Sequence, residues 1–392
     1  MKDGSMTVGA AARPDARAVM RGLCRGDCAG LRDFARREPE AWGRVCAELF
    51  ESQIPTLFYS WLKRAGLESL VPSPLLEKVR QKYEATLAAN ILMQEQFLRI
   101  EAAMREAGIE LTPLKGLELI EGVYDDIAAR GMSDIDIFVS DSRRVEAIGV
   151  LRMNGYRCDF DGLVSRAENF NSGFLFYSDD PGQTHVELHW SVMDPAGVRM
   201  NMMTRRRSLS LSRLLADGRG EGRYGGRPVS MLAAGHSLLF MLLHIYSHNF
   251  EGEKWFWDIA LFLDRKESEI DWEDFFRAVS RYRLEKIVHS VFLFVERSLG
   301  VPVAPEAVRR RFAGLPGAQR WVCEKISACE RENVRLLLSL LLHTSVLRML
   351  MTVARYFSPT RRQLEITACQ RVRWRDYPRM FLKLRIGRML HP

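Results

Sequence analysis

Apolar positions recur every three or four residues from Ala18 through Leu31-Arg-Asp-Phe-Ala and Trp42 to Phe50, then over Ile54–Ala65 and Pro74–Gly108. That period sets them on one face of successive helices. Gly108 is placed to cap the run Asn90–Ala107. The pattern then changes to alternation. Ile109-Glu-Leu-Thr-Pro-Leu reads as a first strand ending at Lys115-Gly116, with a helix over Leu117–Tyr124. Asp134-Ile-Asp-Ile-Phe-Val reads as a second strand, and Asp141 is placed to cap a helix over Ser142–Asn154. Tyr156–Phe160, Phe174–Tyr177 and His185–Trp190 supply further strands, Gly162–Gly173 a polar loop and Asp179-Asp180-Pro-Gly a turn. Met200–Arg207 is rich in Met and Arg, and Gly218–Arg227 reads as a Gly/Arg loop. Helical spacing returns over Met231–His248, from Lys254-Trp-Phe-Trp onward, and over Trp272–Tyr282, Glu285–Leu299, Pro305–Phe312 and Arg331–Tyr356.

These elements predict an α+β fold: a small mixed β-sheet core with helical N-terminal and C-terminal parts. The expected divisions are a disordered N-terminus (1–16), a helical N-terminal domain (17–108), the sheet-bearing core (109–230), a helical C-terminal domain (231–357) and a basic amphipathic tail (358–392).

Composition narrows the class. The chain has 392 residues, 47% of them hydrophobic, enough for a large core. No apolar run approaches the ~20 residues that span a bilayer. Met1-Lys-Asp-Gly-Ser-Met lacks a signal-peptide core, so the expected location is cytoplasmic. Seven scattered cysteines give no disulfide framework, and Cys24/Cys28 and Cys323/Cys329 read as ordinary thiols rather than zinc ligands. From Arg355 onward there are ten Arg or Lys and two acids, Glu365 and Asp376. The tail thus carries the whole formal charge of +8. The near-neutral body argues against a nucleic-acid partner. The Arg361–Arg388 segment instead suits an anionic membrane surface, giving a peripheral location, or an acidic partner protein, or is a basic helix docked on its own domain.

Candidate chemistry concentrates between Leu114 and Trp190. Residues i and i+2 of a strand share a face, so Asp134 and Asp136 project together, opposite Ile135 and Ile137. His185, Glu187 and His189 likewise lie opposite Val186, Leu188 and Trp190. If the two strands are neighbours, Glu187 joins the aspartates. Three converging carboxylates repel unless a cation lies between them, and hard oxygen ligands suit Mg²⁺. On that repulsion argument, Asp136→Ala and Glu187→Ala should leave thermal unfolding unchanged or improved. Lys115 and Gly116 suit a phosphate at a strand-to-helix turn, or an ordinary turn beside a surface lysine. Arg130 either contacts triphosphate or pairs with Asp134 or Asp136. His189 contacts a nucleotide or acceptor, or is a hydrogen-bonded structural residue. His244 and His248 lie four apart on one helical face, but His-Ile-Tyr-Ser-His lacks a metalloprotease glutamate and reads as structural.

The ordered set Leu114-Lys115-Gly116, Arg130-x3-Asp134-Ile-Asp136-Ile and Glu187-Leu-His189-Trp190 resembles the DNA polymerase β-type nucleotidyltransferase superfamily. Within it, the wording is similar to a bacterial branch of uncharacterised nucleotidyltransferases, with members near polysaccharide-assembly and lasso-peptide biosynthesis genes. Gly116-Leu117 departs from the Gly-Ser or Gly-Gly usual in the wider superfamily, and the Lys-Gly form suits the branch. The resemblance implies a Mg²⁺-dependent enzyme that uses an NTP such as ATP as donor and a peptide or saccharide as acceptor. Asp134, Asp136 and Glu187 would hold two ions, Glu187 also activating the acceptor hydroxyl while pyrophosphate leaves. Lys115, Gly116, Arg130 and His189 would bind the nucleotide. His248 and Asp258 would line the site from the helical side, the other reading being a buried His248–Asp258 hydrogen bond; Lys254, from its place at a helix start, either reaches phosphate there or is a solvated lysine. Phosphoryl transfer to a peptide such as a lasso peptide, or a non-catalytic nucleotide-binding scaffold docked by its tail, are the alternatives.

Overall fold

The structure, a computed structural model, describes residues 15–24, 26–158, 173–180, 182–191, 213–329, 331, 334–335, 338, 340–342 and 373–379. Five helices open the chain: α1 (Ala16–Cys24), α2 (Cys28–Arg37), α3 (Pro39–Glu51), α4 (Pro55–Ala65) and α5 (Ser73–Glu106). Local signals set their ends. Asp27 caps α2 by accepting from Gly30 N at 3.0 Å. Pro39 and Pro55 open α3 and α4, where no amide hydrogen is needed, and Gly66 closes α4 at φ 64°. The 34-residue α5 begins among the helices and ends on the sheet, where Phe97, Ile100 and Met104 are buried.

The sheet contains β1 (Leu111–Pro113), β2 (Ile135–Val139), β3 (Tyr156–Arg157), β4 (Gly173–Ser178) and β5 (Val186–His189), in the order β1-β2-β5-β4-β3. The β2–β5 pair is parallel and the other pairs antiparallel, so the sheet is mixed as expected. Helix α6 (Gly116–Gly122) follows β1, and α7 (Arg144–Met153) links β2 to β3. Asp141 does not cap α7. It lies in a preceding 3₁₀ turn and pairs with Arg144 instead.

The expected Gly/Arg loop is a hairpin, β6 (Arg219–Tyr224) and β7 (Arg227–Leu232). Gly225 and Gly226 turn it at φ 54° and 74°, the left-handed pair that a two-residue hairpin turn requires. The first strand alternates Arg219, Glu221 and Arg223 with Gly220 and Gly222, so it shows no apolar face. Thr112 Oγ1 donates to Ser230 Oγ at 3.0 Å, tying β7 to β1. Because Met231 and Leu232 complete β7, α8 starts later than its apolar pattern, at Ala234, and runs to Ser247. Then follow α9 (Glu253–Lys266), α10 (Trp272–Tyr282), α11 (Glu285–Leu299), α12 (Glu306–Ala313) and α13 (Gly317–Ser327).

Two apolar cores result. One lies against the sheet, with Ile135, Ile137, Leu188 and Trp190 meeting α5 and α7. The other joins Trp42, Phe58 and Leu62 from the early helices to Leu238, Leu242 and Phe292 from the late ones. Helical segments on both sides of the sheet in sequence therefore share one interior. No disulfide joins the described cysteines, and no helix among the described residues is long and apolar enough to cross a membrane. Residues 1–14, the expected Met200–Arg207 segment, most of the loop over Gly162–Gly173, most of the helix over Arg331–Tyr356 and most of the tail lie outside the described residues.

Candidate active site

The parallel register of β2 and β5 sets Asp136 opposite Glu187 and Phe138 opposite His189. Period-two alternation sends Ile135, Ile137, Val186 and Leu188 into the sheet core, so the two acids emerge side by side on the other face. Lys115 follows β1, the neighbouring strand, and its Nζ lies 2.7 Å from Asp136 Oδ1 and 3.3 Å from Glu187 Oε2. His189 Nε2 lies 2.9 Å from Asp136 Oδ1 and 3.4 Å from Glu187 Oε2. Ligating atoms of Asp136, Glu187 and His189 all fall within 4.8 Å of one another. Asp134 stands just before β2, half-buried and accepting from Ser133 Oγ at 2.9 Å. It faces the same cavity as Asp136 and Glu187 but stands outside that tighter group.

Charge explains how so many buried ionisable groups coexist. Burial disfavours the Lys115 ammonium, but Asp136 and Glu187 outweigh it and raise its pKa. Burial likewise opposes the His189 imidazolium, yet Glu187 and the Asp136 hydrogen bond push its pKa up to about 9. Glu187 is held well below its usual value because His189 and Lys115 overcome the cost of burial. For Asp136 burial prevails and the shift is upward, with Lys115 and His189 opposing it. The acids therefore do not face each other bare: Lys115 and His189 lie against both of them.

The Lys115-Gly116 turn has its own signature. Lys115 adopts φ 49° and ψ −115°, which costs a non-glycine residue about 1–3 kcal/mol. At Gly116 a Cβ would lie 2.7 Å from Arg130 Nη1 and 2.8 Å from Met132 Sδ. The glycine thus makes room for protein as well as for any ligand. Arg130 takes neither of the carboxylates foreseen for it. Its Nε and Nη2 each donate to Asp258 at 2.8 Å, and Tyr124 Oη donates to the same carboxylate at 2.7 Å. This buried clamp ties the approach to β2 to α9.

A cavity of about 300 Å³ opens between the acids and the helices. Lys115, Gly116, Asp134, Asp136 and Glu187 border it on the sheet side, with Arg130 beside them. His244 and His248 from α8 and its end, and Lys254 and Trp255 from α9, border it opposite. Lys254 is half-buried, and burial followed by the nearby Arg130 charge lowers its pKa. His189 lies fully buried behind the acids rather than on the cavity wall. Trp255 had no place among the candidates, and His244 read as structural. The i, i+4 histidines and the indole after Lys254 were visible, but nothing in the chain shows that α8 and α9 bring their rings together.

An enzyme of the nucleotidyltransferase class fits this α+β frame and its acidic site. The chain belongs to the uncharacterised nucleotidyltransferase family, whose model matches residues 38–300, from the end of α2 to the end of α11. Among solved structures it is similar to the antibiotic-resistance factor ANT(2'')-Ia in solution, at 17% identity and a TM-score of 0.34 over 48% of this chain and 90% of that one. That likeness is too slight to support an argument. No curated protein matches the chain.

Proposed function

We propose that this enzyme moves a nucleotidyl group from an NTP to an acceptor hydroxyl with Mg²⁺ at Asp134, Asp136 and Glu187. The observation that supports this most is the Asp136–Glu187 pair in register on adjoining parallel strands, beside the Lys115-Gly116 turn. The donor set fits a hard cation: two carboxylates converge, and Asp134 adds a third on the same cavity. A divalent ion held there would stabilise the charge that gathers on the attacked phosphate.

The chain's own groups divide the remaining work. Lys115 and Gly116 receive phosphate oxygens, with the ammonium as the mobile positive charge nearest the acids. His189 is a positioning residue, since its Nε2 fixes the Asp136 oxygen while the ring stays off the cavity. Glu187 shares the ion and helps to activate the acceptor hydroxyl. Arg130 and Asp258 hold the sheet side and the helical side in register. The acceptor is a peptide or saccharide reached from the cavity mouth. Residues 109–230 serve as the catalytic core, with 17–108 and 231–357 as its helical parts. The basic tail docks the cytoplasmic enzyme on an anionic membrane surface or acidic partner.

Incubation with Mg²⁺ and NTPs labelled separately at the α- and γ-phosphates tests this reading in the presence of candidate acceptors. Label transfer from the α position with pyrophosphate release, lost in Asp136→Asn and Glu187→Gln, is the expected result. Transfer of the γ label instead would make the enzyme a phosphoryl transferase. Wild-type turnover in either variant would remove the site assignment.

A further inference from the structure

The helical wall of the cavity has features that the phosphate chemistry leaves unused. His244 is 8% exposed, borders the cavity, and its Nδ1 is buried with no hydrogen-bond partner among the described residues. A buried polar atom without a partner costs about 1–3 kcal/mol. The ring centroid of His244 lies 4.4 Å from that of His248 and 4.4 Å from that of Trp255, and His248 lies 4.9 Å from Trp255. These contacts leave a continuous aromatic surface on the cavity.

The backbone is bent to build this surface. Asn249 and Phe250 both stand at φ 60°, and Gly252 at φ 97°. A Cβ at Gly252 would lie 2.3 Å from Trp255 Cε3, so the indole packs where only glycine leaves room. Two non-glycine residues in the left-handed region are backbone strain placed beside a site. The resulting wall offers no carboxylate. Burial first, then the Lys115 charge, hold His244 well below its usual pKa, so it stays neutral.

We propose that the rings of His244, His248 and Trp255 seat the nucleobase of the donor NTP, with a ring nitrogen of His244 bonded to an edge of that base. This rests on the nucleotidyltransferase reading above. A phosphate chain on the Lys115-Gly116 side leaves its nucleoside against the opposite wall. At about 300 Å³ the chamber is at the lower end of small-ligand sites, with room for one nucleotide and little beside it. A planar heteroaromatic ring is what three clustered rings recognise, with the Lys254 side chain on the same wall. A peptide or saccharide acceptor would need more length than this chamber offers.

Calorimetric titration of the full chain separates the two halves of the ligand. The probes are the four NTPs and inorganic tripolyphosphate, each with Mg²⁺, on wild type, His244→Phe and Trp255→Leu. His244→Phe keeps ring volume and removes the nitrogen. In wild type the preferred NTP should bind about ten- to a hundredfold tighter than tripolyphosphate, the span expected for stacking plus one hydrogen bond. Each variant should lose about tenfold in NTP affinity while tripolyphosphate binding stays unchanged, which also certifies the fold. Equal binding of both probes in wild type would overturn the proposal. So would NTP affinity untouched by either variant, which would hand the wall to the acceptor. If neither probe bound, the nucleotidyltransferase reading would fall first and this inference with it.

Discussion

Removing one partner of the Arg130–Asp258 clamp gives the sharpest test of how the site is assembled. Arg130 is 7% exposed and Asp258 4%, measured on their side chains, and two hydrogen bonds of 2.8 Å join them. Arg130→Met would leave a buried carboxylate whose remaining described donor is Tyr124. Breaking such a pair from one side costs about 3–5 kcal/mol, because a charge stays buried without its counterion. At about 2.1 cal/mol/K of unfolding entropy per residue, that is a fall of about 4–6 °C in Tm if the chain unfolds cooperatively. Asp258→Leu should cost a similar amount by stranding the guanidinium. The double variant should cost far less than the sum, since no unpaired charge remains. It will not reach wild type, because Tyr124 Oη loses its acceptor at about 1–3 kcal/mol. Urea unfolding followed by circular dichroism on all four proteins gives the coupling energy. Additive single effects, or a single-variant cost below about 1 kcal/mol, would refute the clamp as a structural joint.

Asp136→Ala, expected from repulsion alone to be harmless, should instead destabilise the protein by about 2–4 kcal/mol by leaving Lys115 and His189 without their shared oxygen; an unchanged urea midpoint would restore the repulsion argument. Gly116→Ala should cost about 1–3 kcal/mol through overlap with Arg130 and Met132, read as a lower Tm, and a wild-type Tm would show that the neighbours yield freely. Glu118 on α6 is buried against Ser237 on α8, and burial lifts its carboxyl to about 7 from 4.5. A raised folded-state pKa means that its stabilising contribution is full below about 4.5 and is lost as pH rises through 7, a span of about 3 kcal/mol. Glu118→Gln should therefore gain on wild type in unfolding free energy from pH 5 to 8, and a flat difference across that range would exclude a protonated buried carboxyl.

Most helices, the strand carrying Asp136, and the strand carrying Glu187 and His189 were legible in the chain, because period and capping residues act within a few neighbours. The hairpin over Arg219–Leu232 was not read, since Arg219, Glu221 and Arg223 alternate with Gly220 and Gly222 and give its first strand no apolar face, although Gly225-Gly226 marked the turn.

Alternation determined which side chains of each strand share a face, and so made Asp136, Glu187 and His189 candidates before any fold was known. It could not determine that β2 and β5 are parallel neighbours, fifty residues apart in sequence, with Asp136 registered on Glu187. Nor could it show that Lys115 lies against the pair, that Arg130 turns away to Asp258, or that His244 meets Trp255 across two helices. Those outcomes depend on long-range pairing and on which charges share a low-dielectric interior. Local sequence sets the faces, and only the packed chain decides which faces meet.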